Sequence, residues 1–168
     1  MVIKWVACTV ANAKKEAFSQ AQSRWSSLSQ VPGFIAQIGG WERKGDVLEA
    51  HIFGFWETAE LYREFMDRLH DEIFQKTGQP GTYESISVRN GEFEGNIRTV
   101  DVHRLDRVVI SQNAYQTYLM QMIRQGSEAA AGVFNMGGME EPALAVELEP
   151  VWSVGLYELI GRALDETP

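Results

Sequence analysis

The residues best able to move protons, bind metal or attack carbon are three histidines (His51, His70 and His103) and a single cysteine, Cys8. No two of them stand at metal-ligand spacing, and neither HxxxH nor CxxC occurs. The phosphate-cradling patterns GxGxxG and GxxxxGK[ST] are also absent, so no metal and no cofactor is expected. His70 is the candidate catalytic residue. Tyr62, Met66, His70 and Phe74 recur one helical turn apart beside a second stripe of Leu61, Phe65, Leu69 and Ile73. That spacing puts an imidazole on the flank of an apolar face, where it could give or take a proton near neutral pH in a pocket below. The plainer reading is a half-buried histidine bonded to backbone near a helix end. Trp25, Trp56, Tyr62 and Met66 are the candidate substrate-binding residues, an apolar wall for a small hydrophobic or aromatic molecule. Their plainer reading is core packing. Cys8 has no basic neighbour in sequence and reads as a buried, inert thiol. Glu140-Glu141 and Glu147/Glu149 read as a solvated turn and outward strand positions.

The elements that must position these residues follow a recognisable order. Residues 2–10 carry Val2, Ile3, Val6, Thr9 and Val10, a β-branched run of strand length. Asn12 is placed to cap a helix on which Phe18, Ala21, Trp25 and Leu28 recur at spacings of three and four. Pro32-Gly33 ends that helix and feeds a second strand over 34–41. A polar turn, Arg43 to Asp46, leads into a third strand over 47–56. There Leu48, Ala50, Ile52, Gly54 and Trp56 share one face, and Glu49, His51, Phe53 and Phe55 the other. Thr58 caps the helix that carries His70, and residues 83–88 form a fourth strand ending at Asn90-Gly91. The order β-α-β-β-α-β is that of a ferredoxin-like half, assigned to residues 1–96.

A second, degenerate ferredoxin-like half is assigned to residues 97–168: strand-like over 97–110 with a break allowed at Leu105-Asp106, helical over 113–124, strands over 132–139 and 144–152, and a helix over 155–164. The two halves share words: Gln37-Ile38-Gly39-Gly40-Trp41 recurs as Asn135-Met136-Gly137-Gly138-Met139, and Leu61-Tyr62 recurs as Leu156-Tyr157 at nearly the same offset. An internal duplication is the reading. The glycine pairs are read as bulges or close backbone approaches. One ferredoxin-like half leaves a sheet face bare, and two halves in one chain can bury both bare faces without a separate partner. The expected fold class is therefore α+β: tandem ferredoxin-like repeats forming an intramolecular dimeric α+β barrel.

Composition bounds the function. The chain has 168 residues, 45% of them hydrophobic, enough for a core without metal or disulfide staples. Its 15 basic and 23 acidic residues give a net charge of −8, which argues against nucleic-acid and anionic-membrane partners. One cysteine cannot form an internal disulfide, which fits the cytoplasm. No apolar run reaches the roughly 18 to 20 residues of a membrane span. The opening residues, with Lys4 and Trp5 inside a short apolar run, read as a strand and not a signal peptide. The expected partner is a small hydrophobic or aromatic molecule, and the pseudo-dimer could pair again as a homodimer.

Pro32-Gly33-Phe34 entering the second strand, Trp56 closing the third and the aromatic-rich helix carrying His70 resemble the dimeric α+β barrel superfamily, the antibiotic-biosynthesis-monooxygenase-like group. IKWVACTV, FSQAQ, IGGW and FMDRLHDEIF are most similar to its uncharacterised YdbC-like bacterial branch, over roughly residues 1–88. The resemblance implies a cofactor-independent small-molecule oxygenase or oxidoreductase with a pocket in the N-terminal half. The alternatives are a binding protein for a hydrophobic metabolite and a structural module with closed pockets. Haem-degrading relatives use an Asn on the first strand and a Trp and a His on the second helix. Residues 2–10 contain no Asn and the second helix no Trp, so that pattern is not met.

Overall fold

The computed structural model describes residues 1–137 and 143–155. The chain opens with β1 (Val2–Val10), followed by a 3-10 turn over 12–14, α1 (Lys15–Gln22) and a 3-10 helix over 23–30. Next come β2 (Phe34–Lys44) and β3 (Val47–Trp56), joined by a two-residue turn in which Gly45 takes the left-handed φ of 60° that glycine accepts without strain. Then follow α2 (Ala59–Arg68), α3 (His70–Thr77) and β4 (Ser85–Gly95). The Thr58 hydroxyl accepts the Leu61 N–H at 3.2 Å and starts α2, as its type and position predict. The remainder supplies β5 (Arg107–Ala114), β6 (Thr117–Arg124), β7 (Ser127–Asn135), β8 (Ala143–Leu148) and the short β9 (Val154–Gly155).

Eight strands close into one ring, β2-β3-β1-β4-β7-β6-β5-β8 and back to β2, and every pairing is antiparallel. Two seams join the halves. Along one, Glu92 to Gly95 of β4 pair with Asn135 to Gly132 of β7; along the other, Gly40 and Trp41 of β2 pair with Leu148 and Glu147 of β8. Glycines make both seams possible. A Cβ on Gly40 would collide with the Glu147 carbonyl, and one on Gly91 with the Asn135 carbonyl. The expectation that Gly39-Gly40 marks a close backbone approach is met here.

The ring encloses an apolar core in which Trp5, Phe53, Phe55 and Phe93 from the first half meet Tyr118, Met120 and Phe134 from the second. On the outer face of the first half, α1, the 3-10 helix, α2 and α3 cover the other side of β1, β2 and β3. Trp152, fully buried, crosses from the second half to pack against Trp41 (5.2 Å) and Phe18 (5.7 Å), and its indole N–H reaches Ser19 Oγ at 3.0 Å. The architecture is α+β, with two four-stranded halves closing a barrel inside one chain. Among the described residues no helix is long and apolar enough to cross a membrane.

Several local expectations are corrected. Residues 113–124 are not a helix: they end β5, turn through Gln116 at a φ of 57°, and form β6. Tyr118, Met120 and Met122 are buried and alternate with less buried neighbours, the period of two that a strand needs. The second half thus reaches its place in the ring by hairpins, and it contributes no α-helix among the described residues. Asn12 does not cap α1, because a 3-10 turn begins at Asn12 itself, without a side-chain cap. The stripe Leu61, Phe65, Leu69, Ile73 is interrupted. The helix breaks at Leu69, whose φ is −121°, leaving that side chain 39% exposed, and α3 restarts at His70. β4 does not stop at Asn90-Gly91 but runs on to Gly95, because β7 is there to pair with it. The strand expected over 144–152 ends at Leu148, where Pro150 opens a 3-10 turn. Gly138, Met139, Glu140-Glu141, Leu156-Tyr157 and nearly all of the helix expected over 155–164 lie outside the described residues.

Candidate functional site

Strand register lays the floor of the site in rows. Directly opposed residues on antiparallel strands share a face, so Gln37 (β2), Gly54 (β3), Lys4 (β1) and Asn90 (β4) form one row facing the helices. The next row is Gly39, Ile52, Val6 and Val88, and the one beyond it Trp41, Ala50, Cys8 and Ile86. Above these rows, Trp25 and Leu28 of the 3-10 helix, Phe65 and Met66 of α2, and His70 and Phe74 of α3 form a roof. Between floor and roof lies a cavity of about 270 Å³. Ile86 and Val88, each about half exposed, stand on its wall where no helix of the described residues covers β4.

The break at Leu69 makes His70 the first residue of α3 and puts its ring among aromatics. It stacks on Phe74 (5.8 Å, 13°), lies 5.6 Å from Trp25 and meets Phe65 edge-on at 5.8 Å. Its Nδ1 lies 3.0 Å from the carboxylate of Asp71, which is 94% exposed. Trp25 is fixed by its indole N–H, donated to Gln79 Oε1 at 2.7 Å, while Gln79 Nε2 donates to Gln22 Oε1 at 2.8 Å. Trp56 stacks on Phe65 at 4.8 Å. Of the sequence-derived site residues, His70, Trp25, Trp56 and Met66 line the cavity together. Tyr62 does not. It is buried behind the wall, packed 5.7 Å from Trp56, with the Lys4 ammonium 5.5 Å over its ring. Burial pushes the Tyr62 hydroxyl up in pKa, and a hydrogen bond with Asn90 pulls the other way.

Sequence reasoning missed the polar floor: Lys4, Gln37 and the gap at Gly54. Burial pulls the Lys4 ammonium from its ordinary 10.5 down to about 8. Lys4 touches Met66 Sδ at 3.6 Å and the Tyr62 ring, but no carboxylate among the described residues. Parity carries the missed signal: Lys4 is in phase with Val6 and Cys8, on the face that the helices cover. Cys8 lines the cavity as a thiol pushed up to about 12 by burial, with the Glu49 charge adding to the effect.

A second polar cluster lies on the other face of the same strands. Trp5 donates its indole N–H to Nδ1 of the buried His51 at 3.0 Å, while His51 Nε2 faces Glu42 at 3.3 Å and Glu49 at 3.5 Å. These three ligand atoms are close enough together for a metal ion. The tautomer opposes that use. An indole nitrogen can only donate, so Nδ1 holds a lone pair and the ring proton sits on Nε2, where a metal would need the lone pair. Lys44 Nζ lies 3.4 Å from Glu42 and 3.5 Å from Glu49, and supplies the positive charge. Burial pushes the Glu42 carboxyl up in pKa, but His51 and Lys44 outweigh it and hold it below its ordinary value.

A closed antiparallel ring with helices over the outer face of the first half is the architecture of a dimeric α+β barrel, built here within one chain. Residues 2–90 match the family model described as a domain of unknown function, DUF4937, and the chain belongs to that family. It is 44% identical over 89 residues to the uncharacterized protein YdbC of Bacillus subtilis (strain 168), a match covering 52% of this chain and 75% of the relative. Two solved structures share the fold at low identity. One is a proposed monooxygenase of Fusobacterium nucleatum, with a TM-score of 0.57 and 8% identity over 88% of this chain and 91% of its own. The other is a proposed monooxygenase of Lactobacillus acidophilus, with a TM-score of 0.56 and 9% identity over 92% of this chain and 96% of its own.

Proposed function

We propose that this protein takes a small hydrophobic or aromatic molecule into the cavity beneath α2 and α3, and that it oxidises that molecule without a cofactor. The observation that carries this reading is a 270 Å³ space, lined chiefly by apolar side chains, with an imidazole in its wall. His70 takes a proton from an activated carbon or hydroxyl of the ligand. Dioxygen then accepts electrons from the resulting anion; where a methylene becomes a carbonyl, one oxygen atom enters the product and the other leaves as water. The Fusobacterium nucleatum and Lactobacillus acidophilus structures are both described as proposed monooxygenases, which supports the reaction class.

A second reading, a protein that shelters the molecule unchanged, is favoured by one feature: the hydrogen-bonding partner of His70 is an exposed aspartate, which orients the ring loosely. A module with closed pockets fits poorly with the open cavity. The test is incubation with a panel of aromatic compounds in air, followed by mass analysis of what is recovered. An oxygenated product that disappears with His70→Ala supports oxidation. Binding without product in the wild-type protein supports shelter instead. Division of the chain at residues 96/97, a cytoplasmic setting and pairing into a homodimer belong to the same reading. The first is supported by the end of β4 at Gly95 and the second by the lone cysteine.

A further inference from the structure

We propose that the molecule held in this cavity is an acid: a compact aromatic carboxylate whose oxygens meet the Lys4 ammonium and the Gln37 amide N–H. This rests on the reading of the cavity as a binding site and adds what that site selects. Lys4 and Gln37 stand in one row, two strands or about 10 Å apart, on either side of Gly54. A Cβ on Gly54 would meet only ordinary contacts (Trp56 Nε1 at 3.5 Å and Lys4 Cβ at 3.9 Å), so the glycine leaves open space and is not required by backbone crowding. Gln37 is 7% exposed and lines the cavity, and its Nε2 finds no hydrogen-bond partner among the described residues. Lys4 also lines it, with a sulfur and a ring for neighbours.

A half-buried ammonium without a counter-ion among the described residues and a buried amide without an acceptor are each unfavourable, and both are donors. The partner they lack is an acceptor, and beside the cation an anion. The titratable groups facing Lys4 across the cavity or behind its wall are His70, Tyr62, Tyr83 and Cys8; among the described residues no carboxylate lines the space. The site is therefore built to receive negative charge and not to supply it. Size narrows the class. A cavity of about 150 Å³ holds benzene, so 270 Å³ suits two fused rings with an acid group and is tight for three.

The test is calorimetric titration of the full chain with 2-naphthoate and with its neutral isostere 2-naphthamide at pH 7, repeated up to pH 9.5. We expect naphthoate to bind at least tenfold tighter at pH 7, and the preference to fade as the pH passes about 8, where Lys4 loses its proton. Lys4→Met abolishes the preference, and Gly54→Val, which fills the space, abolishes binding of both. Because the pH series uses the wild-type protein, it decides the matter even if a variant fails to fold. Equal affinity for acid and amide, with both blocked by Gly54→Val, overturns the inference about Lys4 and leaves the cavity reading intact. No binding of either compound overturns both.

Discussion

Inside the barrel, the indole N–H of Trp5 points at Nδ1 of His51, 3.0 Å away across the β1–β3 pairing, and so decides which ring nitrogen carries the proton. The carboxylates of Glu42 and Glu49, directly opposed on β2 and β3, would repel each other if left alone, and the Nε2 proton and Lys44 lie between them. Trp5→Phe keeps most of the volume but leaves Nδ1 without its donor. A loss of about 1–3 kcal/mol is expected. Ring ¹⁵N NMR should show Nε2 protonated and Nδ1 bare in the wild-type protein. A protonated Nδ1 would contradict the assigned tautomer.

Lys4 makes stability depend on pH in a predictable direction. Its proton is held less tightly in the folded chain (about 8) than in the unfolded one (10.5), so the unfolded state binds more protons between those values. Stability therefore rises with pH from about 8 towards 10.5, and below 8 the charged lysine weighs on the fold in full. Lys4→Met is expected to raise stability at pH 7 by about 1–3 kcal/mol. The gain should shrink above pH 8 when followed by urea denaturation. A variant less stable than wild type at pH 7 would show that the ammonium is not a burden on the empty cavity.

Cys8 has the opposite slope. Its thiol keeps its proton to about 12 in the fold against an ordinary 9.0, so stability contributed by this group falls as pH rises from about 9. Of these two groups, the lysine is the one that acts between pH 8 and 9. At pH 8 the native protein should resist alkylation by iodoacetamide over a period in which the urea-unfolded chain is fully labelled, as mass spectrometry would report.

The seams of the ring tolerate little. Gly40→Ala drives a methyl into the backbone of β8 and should cost about 2 kcal/mol or more, seen as a fall in Tm. Trp152→Ala removes a fully buried indole that reaches from the second half onto α1, and should cost about 3–5 kcal/mol. If the halves were independent, Trp152→Ala would leave the first half's near-ultraviolet circular dichroism unchanged; a change in the signals of Trp41 and its neighbours is expected instead.

The first half was largely legible because its patterns are local. β1 has the bounds of its β-branched run and β3 those of its alternation, and the two faces of β3 separate as expected. The second half was not, because the middle of Thr117–Arg124, Tyr118-Leu119-Met120-Gln121-Met122, is made of residues that suit a helix as well as a strand, and only pairing with β5 and β7 decides. At the site, the aromatic roof and His70 were visible as stripes on helices. Lys4 and Gln37 were not, because a charged or amide side chain on a strand is ordinarily turned to water. What buries them is a helical layer whose docking no local pattern reveals.

In a symmetric pair of identical chains every substitution is written twice, so neither side can abandon what the other needs. Here each side of the ring is written once. The side under the helices can keep a hollow shaped for a guest, while its counterpart, among the described residues, serves as a wall of hairpins. Such a chain is free to specialise unevenly, its two sides answering to different demands while remaining one folded body.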